Sequence, residues 1–156
     1  MRTSCAMLLL AGACTLQACG TLCPPRVTPV ATPASEADRY YAEGRAHHAA
    51  QRHAEAVKLY KRALLADPSH WQSRNGIAVA YAQRGHRALA MPLWQALLAE
   101  RPAAAAASVI HNNLGYAWLQ AGETVLAQRA LCSALSLNPA HTSARANLQA
   151  LAAASP

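Results

Sequence analysis

The feature that most constrains this chain is a set of landmarks that recurs about every 34 residues. Prolines mark the end of each copy, at Pro68, Pro102 and Pro139, with intervals of 34 and 37 residues. Four further columns move in step with them: Gly44, Ala78 and Gly115; Ala56, Ala90 and Ala127; Tyr60, Trp94 and Leu131; Ala63, Leu97 and Ala134. An ordinary helical bundle with coincidental spacing is the alternative, but a bundle has no reason to keep a fixed phase. A repeated unit of this size buries its apolar face against its neighbours.

The last copy, residues 108–141, shows what one unit contains. Apolar residues recur at steps of three and four on both sides of Gly122, which predicts two amphipathic helices. Gly122 stands where the chain leaves one helix and enters the next, a position that favours positive φ. Pro139 cannot continue the second helix. Each copy is therefore predicted to be a helix–turn–helix.

A 34-residue helix–turn–helix period with small residues, one bulky residue and a closing proline resembles the tetratricopeptide repeat. The resemblance implies an all-α solenoid within a domain at 36–154. It would consist of three repeats, 37–70, 71–104 and 108–141, and a C-terminal capping helix, 142–154. An alanine run at 103–107 adds three residues, nearly one helical turn. The first helix of the third repeat is therefore expected to begin one turn early.

The N-terminal residues 1–18 read as the signal peptide of a lipoprotein. Arg2 precedes an apolar run from Cys5 to Ala18 that is too short to span a membrane. Leu16-Gln17-Ala18-Cys19 resembles the lipobox of bacterial lipoproteins, which implies lipid on Cys19. Gly20, where the family's inner-membrane members often carry Asp, implies the outer membrane facing the periplasm. The alternative is an ordinary signal peptide cut near Ala13 or Ala18, with Cys19 unmodified.

Residues 19–35 contain four prolines and read as an extended tether between lipid and domain. After removal of the signal peptide and lipidation of Cys19, two cysteines remain, Cys23 and Cys132. The periplasm permits a disulfide between them. The alternative is a buried or free Cys132.

Composition limits the function classes. The formal net charge is +7, but the 14 Lys and Arg residues are spread along the chain without interleaved aromatics. That pattern argues against a nucleic-acid surface and supports only a weak preference for acidic partners. No G-x-S-x-G, H-E-x-x-H or P-loop motif is present, so neither an enzyme nor a cofactor is expected. His47, His48 and His53 could meet at the first interhelix turn, but no carboxylate or Cys joins them in sequence, which favours solvated histidines over a metal site.

The resemblance also implies a concave groove lined by the first helix of each repeat. Asn amides and Tyr rings in such a groove suit a peptide ligand. Some members of the family bind two carboxylates through a clamp of Lys, Asn and Arg, but Tyr41, Val109 and Asn113 stand where that clamp needs other groups, which excludes that ligand class. The predicted lining is Tyr41, Arg45, His48, Asn75, Val79, Asn112, Asn113, Tyr116 and Gln120.

These features predict an outer-membrane-anchored periplasmic scaffold for protein–protein interaction. Lipidated tetratricopeptide proteins of this design include assembly factors of type IV and tight-adherence (Flp, TadD-type) pili, which help secretins assemble. This chain resembles a small member of that group. The alternative is a cell-envelope module that binds peptidoglycan or recruits a wall hydrolase. The predicted groove contains Tyr41 and Tyr116 without a neighbouring carboxylate, which favours a protein ligand over a saccharide.

Overall fold

The computed structural model describes residues 34–154, which form seven α-helices and no strand. The helices pair in chain order, and the seventh packs against the last pair, so the predicted all-α solenoid is confirmed. The predicted signal peptide, Cys19 and nearly all of the predicted tether lie outside the described residues. The helices are α1 (Glu36–Ala49), α2 (His53–Ala66), α3 (Trp71–Gln83), α4 (Arg87–Ala99), α5 (Ala104–Leu119), α6 (Thr124–Leu137) and α7 (Thr142–Ala154).

Local sequence signals set where these helices begin and end. Ser35 caps α1: its hydroxyl accepts from the Asp38 N–H at 3.0 Å, while Asp38 Oδ2 accepts from the Ser35 N–H at 3.2 Å. This reciprocal capping box satisfies two N–H groups that the helix cannot. Gly85 and Gly122 provide left-handed turns after α3 and α5, with φ of 82° and 76°. At the first turn the same conformation is adopted by Gln51, with φ of 61°.

Small residues let the two helices of a pair approach closely. A Cβ added at Gly44 would lie 2.6 Å from the Tyr60 ring, and one added at Gly115 would lie 2.7 Å from Leu131 Cγ. Real Cβ atoms do not come that close, so both positions require glycine at this helix separation. The small and bulky columns of the sequence are therefore two sides of one contact.

The apolar core is divided among three clusters that cross repeat boundaries. Tyr60 and Ala56 of α2 pack with Ile77 of α3. Trp94, 1% exposed, is the largest member of a second cluster that joins α3, α4 and α5. Leu131 of α6 packs in a third cluster with Ala144 of α7. Two clusters therefore join consecutive repeats and the third joins the last repeat to the capping helix, so each repeat completes its core with the next unit along the chain.

The third repeat starts early, as the alanine run predicted. Helix α5 begins at Ala104, eleven residues before Gly115, whereas α3 begins seven residues before Ala78. Ala106 and Ala107 of the added turn are buried, and so is Ser108 directly after it, whose hydroxyl donates to the Ala134 carbonyl at 2.8 Å. This hydrogen bond joins α5 to α6. None of the helices within residues 34–154 has the length and hydropathy needed to cross a bilayer.

Candidate functional site

Two adjoining hollows lie along the first helices of the repeats, and Val79 lines both. The large hollow has a volume of about 710 Å³ and the small hollow about 280 Å³. Together they are called the groove below. The structure places all nine residues that the sequence assigned to a groove along one hollow or the other. The small hollow contains Tyr41, Arg45, His48, Asn75 and Val79; the large hollow contains Val79, Asn112, Asn113, Tyr116 and Gln120.

Four asparagines form a continuous chain of hydrogen bonds along the groove. Asn147 Nδ2 donates to Asn112 Oδ1 at 3.0 Å, and Asn112 Nδ2 donates to Asn113 Oδ1 at a longer 3.5 Å. Asn113 Nδ2 donates to Asn75 Oδ1 at 2.9 Å. The buried Trp94 indole N–H donates to the same Asn75 oxygen, also at 2.9 Å. This asparagine chain joins α7, α5 and α3 and ties them to the core.

The asparagine chain leaves unsatisfied groups at its two ends. Asn75 Oδ1 already accepts two hydrogen bonds, but within residues 34–154 its Nδ2 donates none. At the other end, Asn147 Oδ1 accepts no hydrogen bond from any described residue. A peptide group carries one donor and one acceptor. The asparagine side chains are therefore held in place before any ligand binds. Asn75 Nδ2 and Asn147 Oδ1, which bond to no other described residue, can still form hydrogen bonds with a peptide backbone.

The small hollow is aromatic and cationic. The Tyr41 ring lies 5.8 Å from the Tyr60 ring and 5.2 Å from the His70 ring, and the Arg45 guanidinium lies 6.0 Å from the Tyr41 ring centre. Burial raises the pKa of Tyr60 to about 12, so its phenol is neutral at physiological pH. This end of the groove presents flat π surfaces and a fixed positive charge.

Side chains from the first interhelix turn also border the large hollow. Gln51 Oε1 accepts from His53 Nε2 at 3.1 Å, and the His53 ring meets the His48 ring edge-on, with centroids 5.0 Å apart. Burial lowers the pKa of His48, while its hydrogen bond with Gln83 opposes that shift. His48 is therefore neutral near pH 7.

Sequence reasoning missed several lining residues: Gln51, His53, Gln83, Arg87 and Asn147. Gln51 could have been found, since it occupies a column that is glycine in the other two repeats. Asn147 lies on the capping helix α7, which packs against α5 and brings this amide to the groove.

The electrostatic character of the groove is one-sided. Arg45 and Arg87 line it, and no Asp or Glu is among the described residues that line either hollow. Among residues 34–154, no three His, Cys, Asp or Glu side chains are arranged to hold a metal ion. Cys132 carries a free thiol and is exposed on α6, so of the alternative of a buried or free Cys132 the structure shows the free state. Cys23 lies outside the described part of the chain. The described lining of the groove is suited to binding through amides, aromatic rings and cations.

Comparisons with known proteins agree with this architecture. Residues 37–70 match the tetratricopeptide repeat family model. No curated protein matches the chain. Similar solved structures include the first tetratricopeptide domain of human RPAP3, with 19% identity, a TM-score of 0.66, and coverage of 75% of this chain and 90% of that one. The fold is thus a tetratricopeptide solenoid.

Two further structures extend the comparison. The tetratricopeptide domain of Sgt2 from Aspergillus fumigatus is 22% identical, with a TM-score of 0.66 and coverage of 78% of this chain and 80% of that chain. The first tetratricopeptide domain of Spaghetti (RPAP3), bound to the HSP90 peptide SRMEEVD, is 19% identical, with a TM-score of 0.64 and coverage of 76% and 91%. At these identities the likeness concerns the fold.

Proposed function

We propose that this protein is a periplasmic scaffold that holds an extended segment of a partner protein in its groove. The asparagine chain carries the proposal. Its amides are fixed by one another and by Trp94, and Asn75 Nδ2 and Asn147 Oδ1 are free to pair with a peptide backbone. Amides held in place before binding lose little side-chain entropy on binding, which favours affinity.

The rest of the groove supplies side-chain contacts. Tyr116 is 49% exposed and lines the large hollow. An exposed tyrosine combines a large apolar area with a hydroxyl and is common in binding hot spots. A related fold in complex with a peptide, the Spaghetti domain, supports the same mode of use. The absence of the Lys-Asn-Arg clamp pattern argues that this chain takes a different sequence from the HSP90 peptide.

The location follows from the N-terminal sequence. We propose that Cys19 carries the lipid and that residues 20–35 tether the domain to the outer membrane. In that place the scaffold would serve assembly of a tight-adherence or type IV pilus, or of its secretin. Captured secretin or pilin subunits would support this assignment, whereas capture of a wall hydrolase or of peptidoglycan would support the alternative envelope role.

The test removes exposed groove side chains that make no hydrogen bond to described residues. Tyr116→Ala with Gln120→Ala should leave the melting temperature unchanged and reduce cross-linked capture of envelope partners at least fivefold, since anchoring residues contribute about 1–2 kcal/mol or more each. Quantitative mass spectrometry of the captured proteins gives the measurement.

A matched control changes exposed residues on the outer helix α2, Lys58→Ala with Lys61→Ala. This variant should capture the same partners as the wild type. Loss of capture in the control, with normal capture by the groove variant, would place recognition on the outer basic face and overturn the proposal.

A further inference from the structure

The first interhelix turn departs from the pattern of the other two. Gln51 adopts φ of 61° where Gly85 and Gly122 adopt 82° and 76°. A side chain in the left-handed region is strained, and glycine at this position is not. The protein's own repeats show that glycine makes the same turn. Replacing Gln51 by glycine would remove the backbone strain. The presence of glutamine at this position therefore indicates that its side chain has a function.

The Gln51 side chain lines the large hollow and is hydrogen-bonded to the imidazole of His53. Its Oε1 can only accept, so His53 Nε2 donates the 3.1 Å hydrogen bond between them. The two hydrogens on Gln51 Nε2 make no hydrogen bond within residues 34–154. The His53 ring in turn packs edge-on against His48. The turn therefore places amide donors beside a pair of imidazoles.

The surroundings determine what such donors would bind. Arg87, at the start of α4, lines the same hollow, and Arg45 lines the small hollow with His48. Uncommitted N–H donors and guanidinium groups, without a carboxylate among the described lining, favour an anion. A metal ion is disfavoured, because no third ligand joins His48 and His53 among the described residues.

We infer that Gln51 and Arg87 form a subsite for the carboxylate of an acidic side chain in the bound peptide, with His53 holding the Gln51 amide in place. The inference rests on the proposed function and adds a preference in ligand sequence at one end of the groove. It also explains why the first turn carries glutamine: the side chain needed for recognition stands at a position that otherwise suits glycine.

The test compares fluorescein-labelled peptides of equal length with alternating serine and glutamate, serine and glutamine, or serine and lysine. The wild type should bind the glutamate peptide about tenfold more tightly than the glutamine peptide, as expected for charge-assisted hydrogen bonds. The lysine peptide should bind most weakly. Fluorescence anisotropy at fixed ionic strength measures the three dissociation constants.

Gln51→Gly separates recognition from folding. It should raise the melting temperature by about 3–6 °C, because strain is relieved, yet reduce the glutamate preference to about twofold or less. Arg87→Gln should reduce the same preference. As a control, Arg129→Gln removes a cation from an exposed position on α6 and should keep the preference of the wild type.

Equal affinity of the wild type for the glutamate and glutamine peptides would overturn the inference, as would a preference that survives both Gln51→Gly and Arg87→Gln. Suppose that the protein does not prefer glutamate and that Tyr116→Ala reduces the affinity for the glutamate and glutamine peptides equally. Then the groove binds peptide as proposed, and only the carboxylate subsite is overturned. If none of the three peptides binds, the acidic subsite is likewise overturned, while the proposed function is judged by its own capture experiment.

Discussion

The first and third repeats share one packing contact and differ in what they present to the groove. In both, a glycine of the first helix meets a bulky residue of the second: Gly44 against Tyr60, and Gly115 against Leu131. Toward the groove, the first repeat offers Tyr41, Arg45 and His48, and the third offers amides and one exposed tyrosine. The contact that builds the solenoid is repeated, while the surface that would bind a ligand is not.

This difference gives the groove two unlike ends. Rings and cations lie near α1, whereas the asparagine chain runs from α3 to α7. An extended peptide also has two unlike ends and a fixed direction of its N–H and C=O groups. We therefore expect the ligand to bind in one orientation.

The largest expected effect concerns the column shared by all three repeats. Trp94 fills it in the middle repeat and is 1% exposed within the cluster that joins α3, α4 and α5. Trp94→Ala should lower the free energy of unfolding by about 3–5 kcal/mol, because a cavity forms between repeats. Trp118→Ala, at a half-buried position, should cost less in the same urea titration. Equal losses would show that the shared column does not control the stack.

The next effect tests the glycine side of that column. Gly44→Ala and Gly115→Ala should each cost about 1–3 kcal/mol, because the new methyl group overlaps a buried neighbour. Gly44→Ala should be the more costly, since its methyl meets the rigid Tyr60 ring and the other meets Cγ and one methyl of the more flexible Leu131 side chain. Thermal and urea denaturation would measure both. A reversed order would mean that the first pair relaxes more easily than the third.

These two predictions follow from features that the sequence already revealed. The periodic columns predicted the burial of Tyr60, Trp94 and Leu131, because close packing between repeats demands the same sizes in every copy. The extra turn of α5 also followed, because three residues nearly complete a helical turn. Fold prediction succeeds here because packing is periodic.

The site could be predicted only in part. Register placed nine side chains along the groove, but it could not show that Asn75 is bonded to Trp94, which lies nineteen residues away on another helix. It also could not bring Asn147 to the groove, because α7 is a single helix outside the repeat pattern. Side-chain hydrogen-bond networks and the packing of a terminal helix depend on three-dimensional geometry, which the periodic landmarks of the sequence do not predict.

The Asn75–Trp94 bond gives one groove residue a role in stability as well as in binding. Asn75→Ala leaves a buried indole N–H without its acceptor. That loss should cost about 1–3 kcal/mol, while Tyr116→Ala, at an exposed site, should stay within about 0.5 kcal/mol of the wild type. Urea titrations of the two variants would check this. An Asn75→Ala protein as stable as Tyr116→Ala would show that the bond to Trp94 contributes nothing.

The smallest effect is the dependence of stability on pH. Burial lowers the pKa of His48 and of His111 below the ordinary 6.5. The neighbouring His53 lowers the pKa of His48 further. The unfolded chain then binds more protons than the folded one as pH falls through that value, so stability decreases on acidification. Around His48 lie Arg45, Tyr41 and Tyr60, and no Asp or Glu is among the described residues that line this hollow.

Unfolding free energies measured on either side of pH 6.5 should therefore be lower on the acidic side. His48→Gln with His111→Gln should flatten that dependence. Stability that rises on acidification in the wild type would contradict the burial of these two imidazoles in neutral form.

The central claim is that the groove, and not the outer face of the second helices, contacts the partner. A benzophenone amino acid at position 116 or, as a control, at position 61 tests it directly in cells that express the protein. On irradiation, the probe in place of Tyr116 should give discrete protein adducts, and the probe in place of Lys61 should give none. Adducts from position 61 without adducts from position 116 would contradict the account.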